Sequence, residues 1–427
     1  MYFNDEYNDS LTVFKQHLNA DKTFYPLALH ATDIVTSDYP VSRELYDKYS
    51  ENLRKAVDAV FYKEEDSDLA LRLKANATRF GAFKAYNATQ DIRREGRKNS
   101  LTDAEWTEKR YNSFQAAEYN TAVARSRTAK QFEEFMDKDR MEALPNLKWL
   151  PSTSAEVREE HRVFWNRIWA KTDPFWSKNQ PGNLWNCKCD WHETDEPVTD
   201  GNPQTETAAL GLDGNPAITG KIFSDKASYV ERLTQKSKEI VENYVKPVME
   251  HCEEYIRYKN DPEYIDVKFD WKTGALKAWH KDHKTHPNDT KTYNIKGEIL
   301  KADDLEQRFF ERAFKNGHKV IFRKEDDNLT DLDMYLDDVL MDLASIAENV
   351  RDYRSAIQHK NRQLRNYNRD NNTNVDAICL YFHDPSYWAY NKLVEGLQHE
   401  ALYRTVYIKT VYVILNDDSE MQIYRFP

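Results

Sequence analysis

The sequence predicts a mainly α N-terminal part with an irregular Trp- and Cys-rich knot, followed by a small α+β domain with an antiparallel sheet. Three observations carry that prediction. Five of the 11 Gly and seven of the 14 Pro lie between residues 145 and 220, which divides two segments of different character. Before that stretch, apolar residues recur at helical spacing. After it, short β-branched and aromatic runs alternate with helical ones.

Residues 1–64 read as a helical extension. From 42 to 138 the pattern is one of long helices: Leu69, Leu73, Ala77 and Phe80 follow at spacings of four, four and three along one face. Asp103 to Phe135 holds neither Pro nor Gly and continues it. Arg93, Arg94, Arg97 and Lys98 gather at the break between helices, as a solvated helix end or as a nucleic-acid contact. The Thr-, Pro- and Gly-rich stretch from Glu193 to Gly220 reads as a protease-accessible joint. Ser224 is a plausible N-cap for a connecting helix over 226–260. Beyond it, strands are expected at Ile265–Phe269, Lys319–Arg323, Ala377–Phe382, Val406–Leu415 and Met421–Phe426, and helices at 303–316, 341–368 and 387–402. The last two strands flank Asn416-Asp417-Asp418-Ser419-Glu420, a hairpin signal. The expected domain limits are therefore 1–64, 65–225, 226–260 and 261–427.

Composition bounds the function. Aromatic residues make up 13% of the chain, too many for a disordered polymer. The formal net charge of −11 argues against a global coat of nucleic acid and leaves room for a local basic face. No apolar run reaches about 18 residues, so no membrane span is expected. Met1 to Glu6 shows neither a basic nor an apolar leader region, so no signal peptide is expected. Four Cys are too few for a disulfide scaffold and suit a reducing compartment.

Six of the ten Trp (Trp149, Trp165, Trp169, Trp176, Trp185 and Trp191) crowd one stretch, as a packed region or an interface. Within it, Cys187 and Cys189 share a face of an extended backbone, so both thiolates can reach one ion. His192, or His161 upstream, can add a nitrogen, which makes a structural Zn site one reading and simple thiol packing the other. Cys252 and Cys379 read as structural.

Residues 271–286 concentrate three His and four Lys. RNA cleavage without a metal needs a base, an acid and a cation on the phosphate, roles open to His280, His283 and Lys277. An exposed polar loop, or a metal site of His280, His283 and His286, are the alternatives. His283 shares a face with His280 only if the segment is helical. Arg351, Arg354, Lys360, Arg362, Arg365 and Arg369 lie along one predicted helix near Tyr353 and Tyr367, as a solvated face or a nucleic-acid surface. His383, at a strand end, is a further site candidate or a hydrogen-bonded terminus.

Several motifs carry resemblances. Arg158-x-x-His161, Asp173-Pro174-Phe175-Trp176 and Trp185-Asn186-Cys187-Lys188-Cys189 resemble the signature of phage Mu F-like minor head proteins, the phage head morphogenesis family, with Lys188 in place of the usual Arg. Leu73 to Asn76, Phe80-x-x-Phe83-Lys84, Glu118 to Ala124 and Gly211 to Pro216 extend the likeness over roughly residues 65–225. The resemblance implies a few-copy virion component, made in the bacterial cytoplasm, that acts near the portal in head assembly and DNA packaging. Portal and major capsid proteins and packaged DNA are the implied partners, with no membrane. In the C-terminal part, Asn316 to Phe322, the acidic stretch Asp333 to Asp342, a long helix and Ala377 to Phe382 resemble barnase–EndoU–colicin–RelE-like nuclease domains. Those relatives carry a basic residue shortly after the acidic strand; this chain reads Met341-Asp342-Leu343-Ala344-Ser345. That resemblance implies a nuclease-like domain, a ribonuclease if active, with host RNA such as tRNA as substrate and an immunity protein as partner.

Overall fold

The computed structural model describes residues 40–96, 110–153, 159–283, 292–324 and 331–426. The chain is a mixed α/β protein that divides into two compact units between Met249 and Glu250. Among the described residues, no helix is long and apolar enough to cross a membrane.

The first unit is built on α1 (Arg43–Asp58), α2 (Asp68–Gly96) and α3 (Gln115–Phe135). Ser42 caps α1 by accepting from the Leu45 N–H at 3.4 Å. A Cβ on Gly81 of α2 would lie 2.8 Å from the Ser50 nitrogen of α1, so only glycine lets the two helices cross this closely. After α4 (Lys138–Ala143), strand β1 (Asn146–Leu150) is followed by the single-turn α5 (Glu159–Arg162). Strands β2 (Ile168–Ala170) and β3 (Asp190–Thr194) then flank β1 in a small antiparallel sheet. Short helices α6 (Pro216–Thr219) and α7 (Ser228–Glu231) lead into α8 (Gln235–Asn260).

The helix expected from Ser224 starts later, because Thr234 rather than Ser224 caps it, accepting from the Ser237 N–H at 3.3 Å. The expected joint at Glu193–Gly220 is stitched into the unit. Thr199 N–H donates to Ile168 (3.1 Å) and Ala209 N–H to Asn183 (2.8 Å). The fully buried Arg125 guanidinium donates to the Leu212 and Gly214 carbonyls at 2.6 and 2.9 Å. Backbone held this way is a poor protease substrate.

Two ties lock the helical core. Asn76 of α2 both donates to and accepts from the Phe223 backbone, at 3.0 and 2.8 Å. Lys84 of α2 and Glu118 of α3 form a buried ion pair at 2.5 Å, with the Tyr229 hydroxyl donating to the other Glu118 oxygen at 3.1 Å and the Tyr49 ring 4.5 Å beneath the ammonium. Of the predicted cationic cluster, Arg94 pairs with Asp91 at 2.9 Å, an ordinary helix-end contact; Arg97 and Lys98 lie outside the described residues.

The second unit holds an eight-stranded sheet. Strands β4 (Tyr264–Phe269) and β5 (Leu276–His280) form one edge; β6 (Thr292–Ile295) and β7 (Glu298–Lys301) are a separate hairpin leading to α9 (Ala302–Lys315). Then come β8 (Lys319–Phe322), β9 (Met334–Leu336), β10 (Val339–Ile346), α10 (Arg354–Asn371), β11 (Ala377–Phe382), α11 (Tyr390–Tyr403), β12 (Thr410–Leu415) and β13 (Gln422–Arg425). The order is β13-β12-β11-β10-β9-β8-β5-β4.

The sheet is mixed, which corrects the antiparallel expectation. β8-β9-β10 is an antiparallel meander and β12-β13 an antiparallel hairpin, as its turn residues predict, but β10, β11 and β12 run parallel through crossovers α10 and α11. The unbroken apolar run of Ala377 to Phe382 is the sequence trace of this arrangement, since a strand covered on both faces has no polar side. Ala377, Cys379 and Tyr381 pack toward Phe309 and Phe310 of α9, while Ile378, Leu380 and Phe382 pack toward Ile357 and Leu364 of α10. The helix expected over 341–368 is also corrected: residues 339–346 are β10, whose alternation serves the same two cores, and α10 begins at Arg354.

Replacing Lys84 by Met leaves Glu118 buried without its cation, at a cost of about 3–5 kcal/mol. A urea titration should show that loss, and Lys84→Met/Glu118→Leu should recover most of it.

Candidate functional site

In the first unit, Cys187, Cys189 and His161 converge. Their ligand atoms all lie within 4.8 Å of one another, and all three residues are buried. His161 Nδ1 stands 3.4 Å from Cys187 Sγ and 3.5 Å from Cys189 Sγ. A tetrahedral ion with bonds of about 2.3 Å to sulfur and 2.0 Å to nitrogen sets those atoms about 3.5 Å apart, so the donors already have the required spacing. His161 Nε2 lies 2.7 Å from Asn183 Oδ1; an amide oxygen only accepts, so Nε2 carries the proton and Nδ1 presents its lone pair to the thiols.

The two thiols are not equivalent. Hydrogen bonding from Cys189 lowers the Cys187 pKa to about 4 against the opposing effect of burial. Cys189 is pushed upward, first by bonding to the Cys187 thiolate and then by burial. One thiolate stands ready, and the second proton leaves when a cation arrives. Trp149, Trp169, Trp176 and Trp191 are all buried around this group, with Trp149 edge-on to His161 at 5.0 Å. For these four Trp, packing is the role.

His192 does not join them, a correction to the expected ligand set. It lies on β3, where Trp191 points into the core and alternation turns His192 out to solvent, opposite Lys148. Arg158 lies outside the described residues.

In the second unit, the segment with His280 and His283 is a strand followed by a turn, not a helix. Lys277, within β5, is fully buried, paired with Asp266 at 2.8 Å and also with Glu311 of α9. Two carboxylates thus hold the proposed phosphate ligand. His280 ends the strand and turns toward β4, with Nδ1 accepting from the Asp282 N–H at 3.1 Å and Nε2 3.8 Å from Glu263. His283 turns elsewhere: Nδ1 donates to the Arg323 carbonyl at 3.0 Å and Nε2 to Glu306 of α9 at 3.2 Å. The structure does not bring the three into one constellation, and His286 lies outside the described residues.

His283 instead borders a cluster that sequence reasoning missed. Asp333, just before β9, and Asp342, within β10, face Lys360 of α10, whose ammonium is 3.8 Å from Asp333 Oδ2 and 3.1 Å from Asp342 Oδ1. Asp333 Oδ2 also accepts from the Leu343 N–H at 2.6 Å. Asp342 is fully buried, and neither of its oxygens has a hydrogen bond of good geometry; the Lys360 ammonium is the cation beside it.

Electrostatics split the pair. Burial first, and the Asp333 charge second, push the Asp342 carboxyl well above the usual range. Burial works against Asp333 too, but Lys360 and the Leu343 N–H hold its carboxyl low. The Lys360 ammonium is stabilised by both, and further by Glu306. The cluster therefore sets a carboxyl that resists ionisation, Asp342, beside one that ionises readily, Asp333, with the Lys360 ammonium between them and Glu306 and His283 alongside.

Signals existed. Asp342 is the lone charge in the apolar run Val339–Ile346. Lys360, arriving from α10 over the same strand face, puts a cation at that point in space. His383 is separate: it is buried on the α9 side beside Tyr381, and burial first, then Arg308, lower its pKa to about 3, so it stays neutral.

Cobalt(II) titrated into the metal-free chain should give thiolate charge-transfer absorption at one equivalent. Cys187→Ser and His161→Ala should abolish it, Asn183→Ala should weaken affinity by about 10–100-fold, and His192→Ala should leave it unchanged.

No family model, no curated protein and no solved structure matches this chain.

Proposed function

We propose that the chain is a minor head protein of the phage Mu F-like kind, and that its second unit is a divalent-metal-dependent nuclease centred on Asp333, Asp342 and Lys360. The observation that carries the nuclease reading is the buried carboxylate pair with its lysine. Two acidic side chains at one point of a sheet share a single lysine as counterion, and Asp342 keeps oxygens without well-formed hydrogen bonds. Such oxygens suit a hard cation that binds through one or two carboxylates and a substrate phosphate.

Asp333 and Asp342 would hold that cation, which when bound would polarise the phosphate and acidify a water. Lys360 neutralises charge building on the phosphoryl oxygens and orients the attacking water. Glu306 and the Arg323 carbonyl hold His283 in place at the border of the cluster, through contacts of 3.2 and 3.0 Å. This reading moves the chemistry from the expected His280, His283 and Lys277 set to carboxylates, and from metal-independent RNA cleavage to metal-dependent phosphodiester hydrolysis.

The virion reading rests on how the motif segments meet. Lys84 bonds Glu118, Asn76 bonds Phe223, and Arg125 bonds Leu212 and Gly214. Residues far apart in sequence thus depend on one another within one unit, as parts of a single family signature would. Zinc is the ion we assign to His161, Cys187 and Cys189, because thiolate and imidazole donors select it. Portal and capsid proteins are the proposed partners, and packaged or host nucleic acid the proposed substrate.

The purified full chain should cleave plasmid DNA or tRNA with Mg²⁺ or Mn²⁺ and stop in EDTA. Asp342→Asn and Lys360→Ala should each reduce the rate by about 10²-fold or more, while His280→Ala should not. Cleavage that persists in EDTA and is lost in His280→Ala would restore the histidine mechanism.

A pH profile gives an independent check. The raised Asp342 carboxyl must lose its proton to bind the cation, so activity should fall as pH falls. A tenfold rise in Mg²⁺ should then move that acid limb down by up to about one pH unit. An acid limb indifferent to Mg²⁺ would count against Asp342 as a ligand.

A further inference from the structure

Helix α10 presents two different flanks. Lys360 reaches the carboxylates from one; Arg362, two residues on, is turned about 200° around the axis. With Arg354, Arg365 and Arg369 it forms a stripe along the other flank, and from Arg354 to Arg369 that stripe spans about 22 Å at 1.5 Å per residue. Between this flank and the C-terminal end of α11 lies a cavity of about 650 Å³, lined by His359, Arg362, Arg365, Tyr403, Arg404 and Tyr407.

The charges of the cavity are unbalanced. Its one carboxylate, Glu400, is 3% exposed and already committed, accepting from Asn361 at 3.0 Å and from Arg404 at 3.0 Å. Among the described residues, Arg362 and Arg365 meet no carboxylate; Arg362 contacts the His359 ring at 3.4 Å. At the ends of the stripe, Arg354 and Arg369 pair with near neighbours, Asp352 at 3.6 Å and Asp370 at 2.7 Å. Tyr403 is 69% exposed at the mouth, a large aromatic face held in water.

We propose that this cavity and stripe bind single-stranded nucleic acid, with backbone phosphates on Arg362 and Arg365 and a base stacked on Tyr403. Guanidinium groups match phosphate oxygens in bidentate geometry, and an exposed aromatic ring offers a base a stacking surface whatever its sequence. The cavity volume suits one splayed nucleotide. The length of the stripe favours a strand over a free nucleotide, and a cleft between two helices favours an unpaired strand over a duplex. The site deepens the nuclease reading, which supplies its purpose: it would hold substrate away from the hydrolytic cluster, on the opposite flank of the same helix.

The test is fluorescence anisotropy of a labelled 20-nucleotide oligothymidylate with the full chain in EDTA, where metal-dependent cleavage cannot occur. Arg362→Ala/Arg365→Ala should weaken binding at least tenfold and reduce the slope of log affinity against log salt by about 1.4, the value for two lost single-strand phosphates. Arg362→Lys/Arg365→Lys should keep the salt slope and lose only part of the affinity, and thermal melting should show all these variants folded. Asp342→Asn should bind as the parent does.

Unchanged binding in the double alanine variant would overturn the proposal. So would ATP displacing the strand at equal nucleotide affinity, which would mark a mononucleotide site, or a duplex binding as tightly as the single strand. Cleavage that survives Asp342→Asn would sink the catalytic assignment without touching this one, and strand binding without cleavage would leave this one standing.

Discussion

Two carboxylates cannot remain ionised side by side in a sheet interior, and Asp333, Asp342 and Lys360 show how the second unit meets that constraint. One lysine serves both acids, and one acid resists ionisation. The arrangement requires β9 and β10 to form a tight meander, so that Asp333 comes beside Asp342, and requires α10 to cross over β10 at the level of Lys360. The parallel pairing of β10 with β11 follows from that crossover. Substituting an apolar residue for Lys360 would leave Asp333 with an uncompensated charge.

The first unit solves a similar problem with softer chemistry. A thiolate, a thiol and an imidazole are enclosed by four buried tryptophans, a setting too apolar for a charge unless it is shared. Asn183 fixes the tautomer of His161, and so decides which ring nitrogen faces the sulfurs. The stretch from Glu193 to Gly220, rich in turn formers, is held by Arg125 and the Asn183 carbonyl instead of hanging free. Its Pro and Gly serve tight turns inside a packed unit; Gly211, at φ +85° with Ala227 against it, is one case where no other residue fits.

The two flanks of α10 explain why its basic residues resisted a single assignment. Sequence lists Lys360 with Arg362 and Arg365 as one run of positive charge, but helical geometry separates them by more than a third of a turn. Lys360 is tied down by buried acids. Arg362 and Arg365 stay at an open cleft. A helix can thus carry a buried cation and solvent-facing guanidinium groups within six residues.

Much of the architecture was legible in the chain itself. The helical periodicity of Leu69 to Phe80, the apolar run of Ala377 to Phe382 and the turn at Asn416 to Glu420 report local preferences that tertiary packing did not override. The pairing of Cys187 with Cys189 was legible too, because alternation on an extended backbone is a local property. Tertiary structure decided the rest. Whether His161 or His192 faced the thiols depended on which side of β3 met the core. Whether His280 and His283 shared a site depended on a strand-to-turn transition between them. Whether Asp342 had a basic partner depended on a residue 18 positions away, brought over β10 by a crossover that no local pattern encodes. The sequence by itself determined most of the long helices, several of the strands and which residue types are available for chemistry; only the tertiary structure decided which of them meet, because burial and charge compensation act through space and not along the chain.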